Sequence, residues 1–133
     1  MIFTERYKDI IKTEAQLSEQ LNSLMCVENN RIEKLDIVVT GHFGNTVSVD
    51  MLCENVRPIP LWNSTSNIGY ILRALIEILD KEEDRSVSTR ELDNTPIRIV
   101  YDNDNKFGGR AVAIGHPTKD RFVLIEDLMK VKA

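Results

Sequence analysis

The segment from Gly108 to Phe122, GGRAVAIGHPTKDRF, gathers side chains that can bind an anion. Two glycines precede a short apolar strand, and the turn that follows carries His116, Lys119 and Arg121. Residues 96–132 contain seven Lys or Arg and five Asp or Glu, a net charge of +2. The whole chain has a net charge of −4, so the remaining residues carry −6. A locally basic region in an acidic chain suits a small anionic ligand better than a long polyanion, although scattered solubilising charges are the alternative.

The strand RAVAIGH, residues 110–116, has two unlike faces. Because side chains alternate along a strand, one face carries Arg110, Val112 and Ile114. The other face has almost no side-chain bulk and consists of Ala111, Ala113 and Gly115. The space above it must be filled by a core helix, by another subunit or by a planar ligand.

Patterns for catalysis and for metal binding are weak. His116 and Asp120 would serve as a base and its orienting carboxylate, but no nucleophile elbow accompanies them. A calcium loop starting at Asp102 would need glycine where Phe107 stands and an acid where Ala113 stands. No two of the possible zinc ligands lie within ten residues of each other: Cys26, His42, Cys53 and His116. We therefore expect no metal, no cofactor and no enzyme activity.

The N-terminal segment predicts a helix over residues 4–25, with Thr4 as its N-cap. Its apolar residues follow a three–four spacing that forms a narrow stripe: Tyr7, Ile10, Leu17, Leu21 and Leu24. A narrow stripe is typical of coiled coils, which predicts a protruding oligomerisation helix and a homo-oligomer. The alternative is an amphipathic helix that lies on its own sheet.

The remaining chain, residues 31–133, predicts an α+β core. Two alternating segments around a Gly-Asn turn, 35–40 and 46–53, indicate a hairpin. The wide apolar face of residues 67–84 indicates a core helix: Ile68, Ile71, Leu72, Leu75 and Leu79. Three further strands are predicted within residues 96–127, so we expect an antiparallel sheet of about five strands packed on one core helix.

The chain as a whole predicts one domain over residues 1–133. No apolar run is long enough to span a membrane and no secretory signal is visible, which favours a cytoplasmic protein with reduced cysteines. The net charge of −4 argues against binding to long nucleic acid.

Three motifs in the second half of the chain carry a family resemblance. The helix contributes Gly69, Tyr70, Leu72, Arg73, Leu75 and Glu77, and the strand after it contributes Leu92 and Ile97-Arg98-Ile99. The closing segment contributes Ala113, Ile114, Gly115, His116, Lys119, Asp120 and Phe122. Together they resemble small bacteriophage proteins of the anti-Thoeris sponge family, which sequester cyclic ADP-ribose isomers made by bacterial immune enzymes.

The resemblance implies a ligand with a pyrophosphate, two riboses and an adenine, bound in the cytoplasm of an infected bacterial cell. Pyrophosphate favours arginine and lysine, for which the candidates are Arg73, Arg98, Arg110, Lys119 and Arg121. Adenine favours an aromatic surface, from Trp62, Tyr101, Phe107 or Phe122, and the riboses favour Asn103, Asn105 or Asp120. His116 completes the predicted ligand site.

Two other functions remain open from the sequence. An acidic protein that inhibits a host nuclease, as anti-CRISPR proteins do, would use the charge of −6 outside residues 96–132. A nucleotide hydrolase would use His116 and Asp120 as acid and base.

Overall fold

The computed structural model describes residues 7–21, 25–40, 46–54, 56–61, 68–81, 88–102 and 110–131. These residues form an α+β fold with one seven-stranded antiparallel sheet and three α-helices. The strands are β1 (Ile11–Lys12), β2 (Cys26–Thr40), β3 (Thr46–Cys53), β4 (Ile59–Leu61), β5 (Thr95–Tyr101), β6 (Ala111–Gly115) and β7 (Phe122–Leu124), and their order is β1-β7-β6-β5-β2-β3-β4. The helices are α1 (Glu14–Gln20), α2 (Ile68–Ile78) and α3 (Ile125–Leu128), and a 3₁₀ helix spans Thr89–Leu92.

The sequence prediction of an antiparallel α+β sheet is confirmed, but its count of about five strands is wrong. The two strands it missed lie at the sheet edges, where β1 has two residues and β4 has three. Strands this short show too little alternation to be recognised. Pro60 lies in β4, as expected for an edge strand that needs no donor on its outer side.

The predicted helix over residues 4–25 is also corrected, because its first half is not helical in the described residues. Residues 7–10 form a turn closed by the hydrogen bond from Ile10 N to Tyr7 O, and Ile11–Lys12 then pair with β7. Helix α1 begins only after Thr13, whose hydroxyl accepts from Gln16 N, while the Gln16 side chain accepts from Thr13 N. This capping box fixes the start of the helix.

The two faces of the sheet bury different helices. Helix α1 lies on one face, where Leu17 is fully buried against Val100, Ala113 and Phe122. Helix α2 lies on the opposite face with Ile71, Leu75 and Ile78 fully buried, and α3 adds Leu128. Neighbouring residues on one strand, such as Ala113 and Ile114, therefore belong to opposite cores.

Helix α1 therefore packs on its own sheet along its Leu17 side, which was the alternative interpretation of the N-terminal stripe. Its role in oligomerisation stays a prediction. None of the helices in the described part of the chain has the length and apolar character needed to cross a membrane.

The small-residue face of β6 is filled from within the chain. The ring of Phe122 on the paired strand lies so close to Gly115 that a Cβ there would overlap ring atoms Cδ1 and Cε1. Leu17 from α1 packs in the same cluster as Ala113. Neither a planar ligand nor a second subunit is needed above these two residues.

Candidate functional site

The turn between β6 and β7, residues 116–121, is organised around the His116 ring. The backbone N–H of His116 donates to Arg121 O at 2.9 Å, which closes the turn just beyond the Gly115–Phe122 pair. Nδ1 of His116 accepts from the N–H groups of Thr118 at 3.2 Å and Lys119 at 3.1 Å. Two donors at Nδ1 require that nitrogen to be unprotonated, so the ring proton lies on Nε2.

The end of helix α2 supplies the opposing charge, Asp80. The N–H of Lys81 donates to Ile76 O and the N–H of Asp80 donates to Glu77 O, both at 3.0 Å. This is a Schellman motif with Asp80 in the left-handed conformation, at φ 59°. Glycine usually takes this position, and aspartate tolerates it at a small energetic cost. Aspartate is favourable here because the partners of its carboxylate offset that cost.

The carboxylate of Asp80 joins three side chains of the β6–β7 turn. Oδ2 lies 2.6 Å from Lys119 Nζ and 3.0 Å from His116 Nε2, and Oδ1 lies 2.9 Å from Arg121 Nη1. The same Arg121 nitrogen donates to Ile78 O at 3.0 Å. Arg121 thereby hydrogen-bonds a terminal carbonyl of α2 and places a positive charge at the negative end of its dipole.

Arg98 approaches the same turn from the neighbouring strand β5. Its Nε donates to His116 O at 2.8 Å, and its Nη2 donates to Lys119 O. The guanidinium carbon lies 4.6 Å from the centre of the Phe122 ring, within cation–π distance. Arg98 therefore holds the turn through backbone carbonyls and an aromatic ring, so its positive charge is not neutralised by these contacts.

The pKa values of the two facing groups are both lowered. Burial alone would raise the pKa of Asp80, but hydrogen bonds from Lys119 and Arg121 and their positive charges hold it below its usual value. The pKa of His116 is lowered chiefly by burial, and also by the charges of Arg121 and Lys119, against the opposing effect of Asp80. The cluster at neutral pH thus contains a neutral His116 and an ionised Asp80.

Among the described residues, three permanent cations in and beside this turn stand with two carboxylates. Arg98, Lys119 and Arg121 contribute +3, and Asp80 and Asp120 contribute −2, which leaves +1. Asp120, although it lies in the same turn, accepts from Glu14 N at 2.6 Å and so caps the start of α1. A surplus of this kind attracts an anion that can hydrogen-bond to lysine and arginine.

Five of the nine predicted ligand residues meet in this cluster: Arg98, His116, Lys119, Arg121 and Phe122. Tyr101 and Arg110 lie at the other end of the β5–β6 pair, where Tyr101 is buried and Arg110 is exposed. Arg73 is half-buried on α2, about two turns before Asp80. Phe107 lies outside the described residues, as do Trp62, Asn103 and Asn105.

Asp80 is the central residue that sequence reasoning missed, and it replaces Asp120 as the predicted partner of His116. A signal for it was present. An acid directly after a helix is unfavourable near the negative end of the dipole, so its presence at the end of ILD indicates a cationic partner.

The described part of the chain contains no group of three or more His, Cys, Asp or Glu side chains able to hold a metal ion. Comparison of the chain with models of protein families, with curated proteins and with solved structures finds no match.

Proposed function

We propose that this protein binds a compact phosphate-bearing ligand at the Asp80–His116–Lys119–Arg121 cluster and sequesters it without turnover. The ligand that the sequence resemblance favours is a cyclic ADP-ribose isomer, and the setting it favours is a bacteriophage countering an immune signal. The observation that carries the proposal is the convergence of three cations, Arg98, Lys119 and Arg121, on one turn, which gives a surplus of +1 over Asp80 and Asp120 among the described residues.

Binding would proceed by exchange of the Asp80 carboxylate for a phosphate oxygen. Lys119 has a side chain that is 55% exposed, so its ammonium group can turn to a ligand without opening the core. Arg121 is 14% exposed and keeps its bond to Ile78 O, which holds its position while the second partner changes. Arg98, which stays on its carbonyl partners, supplies positive potential.

The adenine of such a ligand would not stack on Phe122 or Tyr101. Phe122 is fully buried and lies under Arg98, and Tyr101 is 5% exposed. An aromatic surface for the base therefore stays a prediction for Phe107 or Trp62, both outside the described residues.

The hydrogen bonds of His116 support binding rather than catalysis. Thr118 Oγ1 lies 3.4 Å from Nδ1, and Asp80 lies on the far side of the ring, an order that resembles a nucleophile–base–acid triad. The lone pair of Nδ1, however, already accepts two backbone N–H groups at 3.1 and 3.2 Å. A nitrogen in that state is a poor base for a hydroxyl proton.

Calorimetry and native mass spectrometry with a panel of cyclic ADP-ribose isomers and cyclic oligonucleotides test the proposal. Lys119→Ala should weaken binding by about 1.5–3 kcal/mol, the loss of one charge-assisted hydrogen bond. Lys130→Ala, which removes an exposed lysine two residues after the end of α3, should leave the affinity unchanged. Ligand released by denaturation should have unaltered mass, whereas altered mass would mean turnover.

A protein-interaction inhibitor is the second candidate, favoured by the charge of −6 outside residues 96–132. An acidic surface can mimic nucleic acid against a basic partner. Capture of a host nuclease by the purified chain in the absence of any nucleotide would support this function, and salt should weaken that complex strongly.

A further inference from the structure

The Nδ1 atom of His116 is the acceptor on which the β6–β7 turn closes. The N–H groups of Thr118 and Lys119 donate to it at 3.2 and 3.1 Å. The proton of the neutral ring lies on Nε2, which is 3.0 Å from Oδ2 of Asp80. A second ring proton can enter only at Nδ1, where it would point at the two N–H groups. Protonation of His116 therefore requires both amides to leave Nδ1.

Five charged side chains in the described part of the chain surround the ring or hold its turn: Asp80 after α2, Lys119, Asp120 and Arg121 in the turn itself, and Arg98 on β5. Burial is the main cause of the lowered pKa of His116. The charge of Asp80 acts to raise that pKa, and the charges of Arg121 and Lys119 act to lower it. The two cations are thus the electrostatic obstacle to a charged ring.

An anion bound by Lys119 and Arg121 reverses this balance. It neutralises the two cations that disfavour a charged ring, and it brings negative charge of its own close to His116. The residue is only 8% exposed before a ligand arrives, so the ligand adds little further burial. Asp80, which gives up Lys119 and Arg121 to the ligand, is left facing Nε2 of the ring. A protonated His116 is the cation that remains for this carboxylate.

We propose that binding of an anion at this cluster is coupled to uptake of a proton from solvent, which His116 receives at Nδ1. The inference rests on the proposed function, because it describes how the same site binds its ligand. The N–H groups of Thr118 and Lys119, released from Nδ1 at two exposed residues, donate to phosphate oxygens instead. The charged ring pairs with Asp80 and keeps the turn attached to the end of α2.

Coupling between a ligand and a proton is reciprocal, so acid should tighten binding. The affinity of wild-type protein for a cyclic ADP-ribose isomer should rise about threefold to tenfold between about pH 7.5 and about pH 6, since uptake of one proton gives at most about a tenfold gain per pH unit. The affinity of His116→Asn should change little over this range, because its amide does not titrate.

Calorimetric titration of the full chain in two buffers that differ in their enthalpy of protonation counts the protons taken up. Wild-type protein should take up between about half a proton and one proton per ligand near about pH 6.5. The ligand is the same for His116→Asn, so the difference between the two proteins counts the proton of His116 alone. His42→Asn removes the other of the two histidines and should take up as many protons as the wild type.

Nitrogen-15 NMR of the wild type decides the same question without a variant. On ligand binding, Nδ1 of His116 should become protonated, and the N–H signals of Thr118 and Lys119 should shift with it. Saturable binding during which Nδ1 stays unprotonated, or with equal proton uptake by wild type and His116→Asn, would overturn the coupling and leave the proposed function standing. Absence of binding at every pH would overturn both.

Discussion

Nε2 of His116 lies 3.0 Å from Oδ2 of Asp80, which joins the turn after β6 to the end of helix α2. The same carboxylate accepts from Lys119 and Arg121, so one side chain holds the three polar groups of the turn. The geometry of the cluster therefore depends on Asp80 more than on any single cation.

Asp80→Asn should lower stability and raise ligand affinity. The amide keeps the left-handed backbone favourable, but it removes the charge that Lys119 and Arg121 share, which should cost about 1–2 kcal/mol in the free energy of unfolding. An anionic ligand would then no longer compete with a carboxylate and should bind about fivefold to tenfold tighter. Urea denaturation and calorimetry measure the two effects.

Asp93→Asn, at an exposed position after the 3₁₀ helix, is the matched control and should change neither quantity. Binding with unchanged affinity in Asp80→Asn would contradict the exchange of carboxylate for phosphate. If the wild-type protein bound no ligand at all, the proposed function itself would be contradicted.

His116 should make stability fall as the solution becomes acidic. Its pKa is lowered in the folded protein, chiefly by burial and also by Arg121 and Lys119, so the unfolded chain binds a proton more readily. The stabilisation that His116 contributes is complete above the ordinary histidine pKa, and it decreases as the pH falls from that value toward the lower pKa of the folded protein. Asp80, whose pKa is also lowered, adds a loss at lower pH.

His116→Asn tests this assignment, because the amide oxygen can accept the Thr118 and Lys119 N–H bonds in place of Nδ1 and does not titrate. The free energy of unfolding of His116→Asn should vary less than that of the wild type between neutral pH and the lower limit of histidine titration. An identical pH dependence in wild type and variant would exclude His116 as the source.

Gly115→Ala should destabilise the protein by about 1–3 kcal/mol, since overpacking forces buried groups apart. The added Cβ would overlap the fully buried Phe122 ring, on which Arg98 lies. Gly69→Ala is the control, because nothing lies within 4 Å of a Cβ there and alanine favours the helix by about 0.5–1 kcal/mol. If thermal denaturation showed the same change in stability for Gly115→Ala and Gly69→Ala, the packing of Phe122 against Gly115 would be refuted.

Cys53 should resist thiol reagents in the native protein. Burial raises its pKa to about 12, with a further contribution from the charge of Glu33, so little thiolate forms at neutral pH. Cys26 is half-buried at the start of β2. Mass spectrometry after brief labelling should find one modification under native conditions and two in denaturant. Rapid native labelling of Cys53 would contradict its burial in the main core, to which residues of α2 also belong.

The sequence predicted elements whose pattern is local and long. Helix α2, the β2–β3 hairpin and β5 to β7 have apolar patterns of this kind, and the structure contains each of them. Two bounds differ from the prediction, because β2 begins at Cys26 instead of residue 35, and the last predicted strand, 121–127, ends at Leu124, where α3 follows.

Strand β1 and the short α1 were predicted as one helix because Tyr7, Ile10 and Leu17 share a helical spacing. The pairing of Ile11 with Val123 on β7 overrides that spacing, and no local pattern encodes it.

The candidate site was half predictable for the same reason. Lys119 and Arg121 share a turn with His116, so their proximity follows from sequence. Asp80 comes from another element, and its contact depends on where α2 ends over the sheet. The Leu17–Phe122 packing that fills the small-residue face likewise depends on α1 returning across β6.

Calorimetric titration of the full chain with a cyclic ADP-ribose isomer, alongside Lys119→Ala and Lys130→Ala, is the decisive experiment for ligand binding at this cluster. Wild type and Lys130→Ala should bind the ligand saturably, and Lys119→Ala should lose about 1.5–3 kcal/mol of binding free energy. Equal binding by all three proteins, or no binding of any phosphate-bearing ligand by wild type, would contradict ligand binding at the Asp80–His116–Lys119–Arg121 cluster.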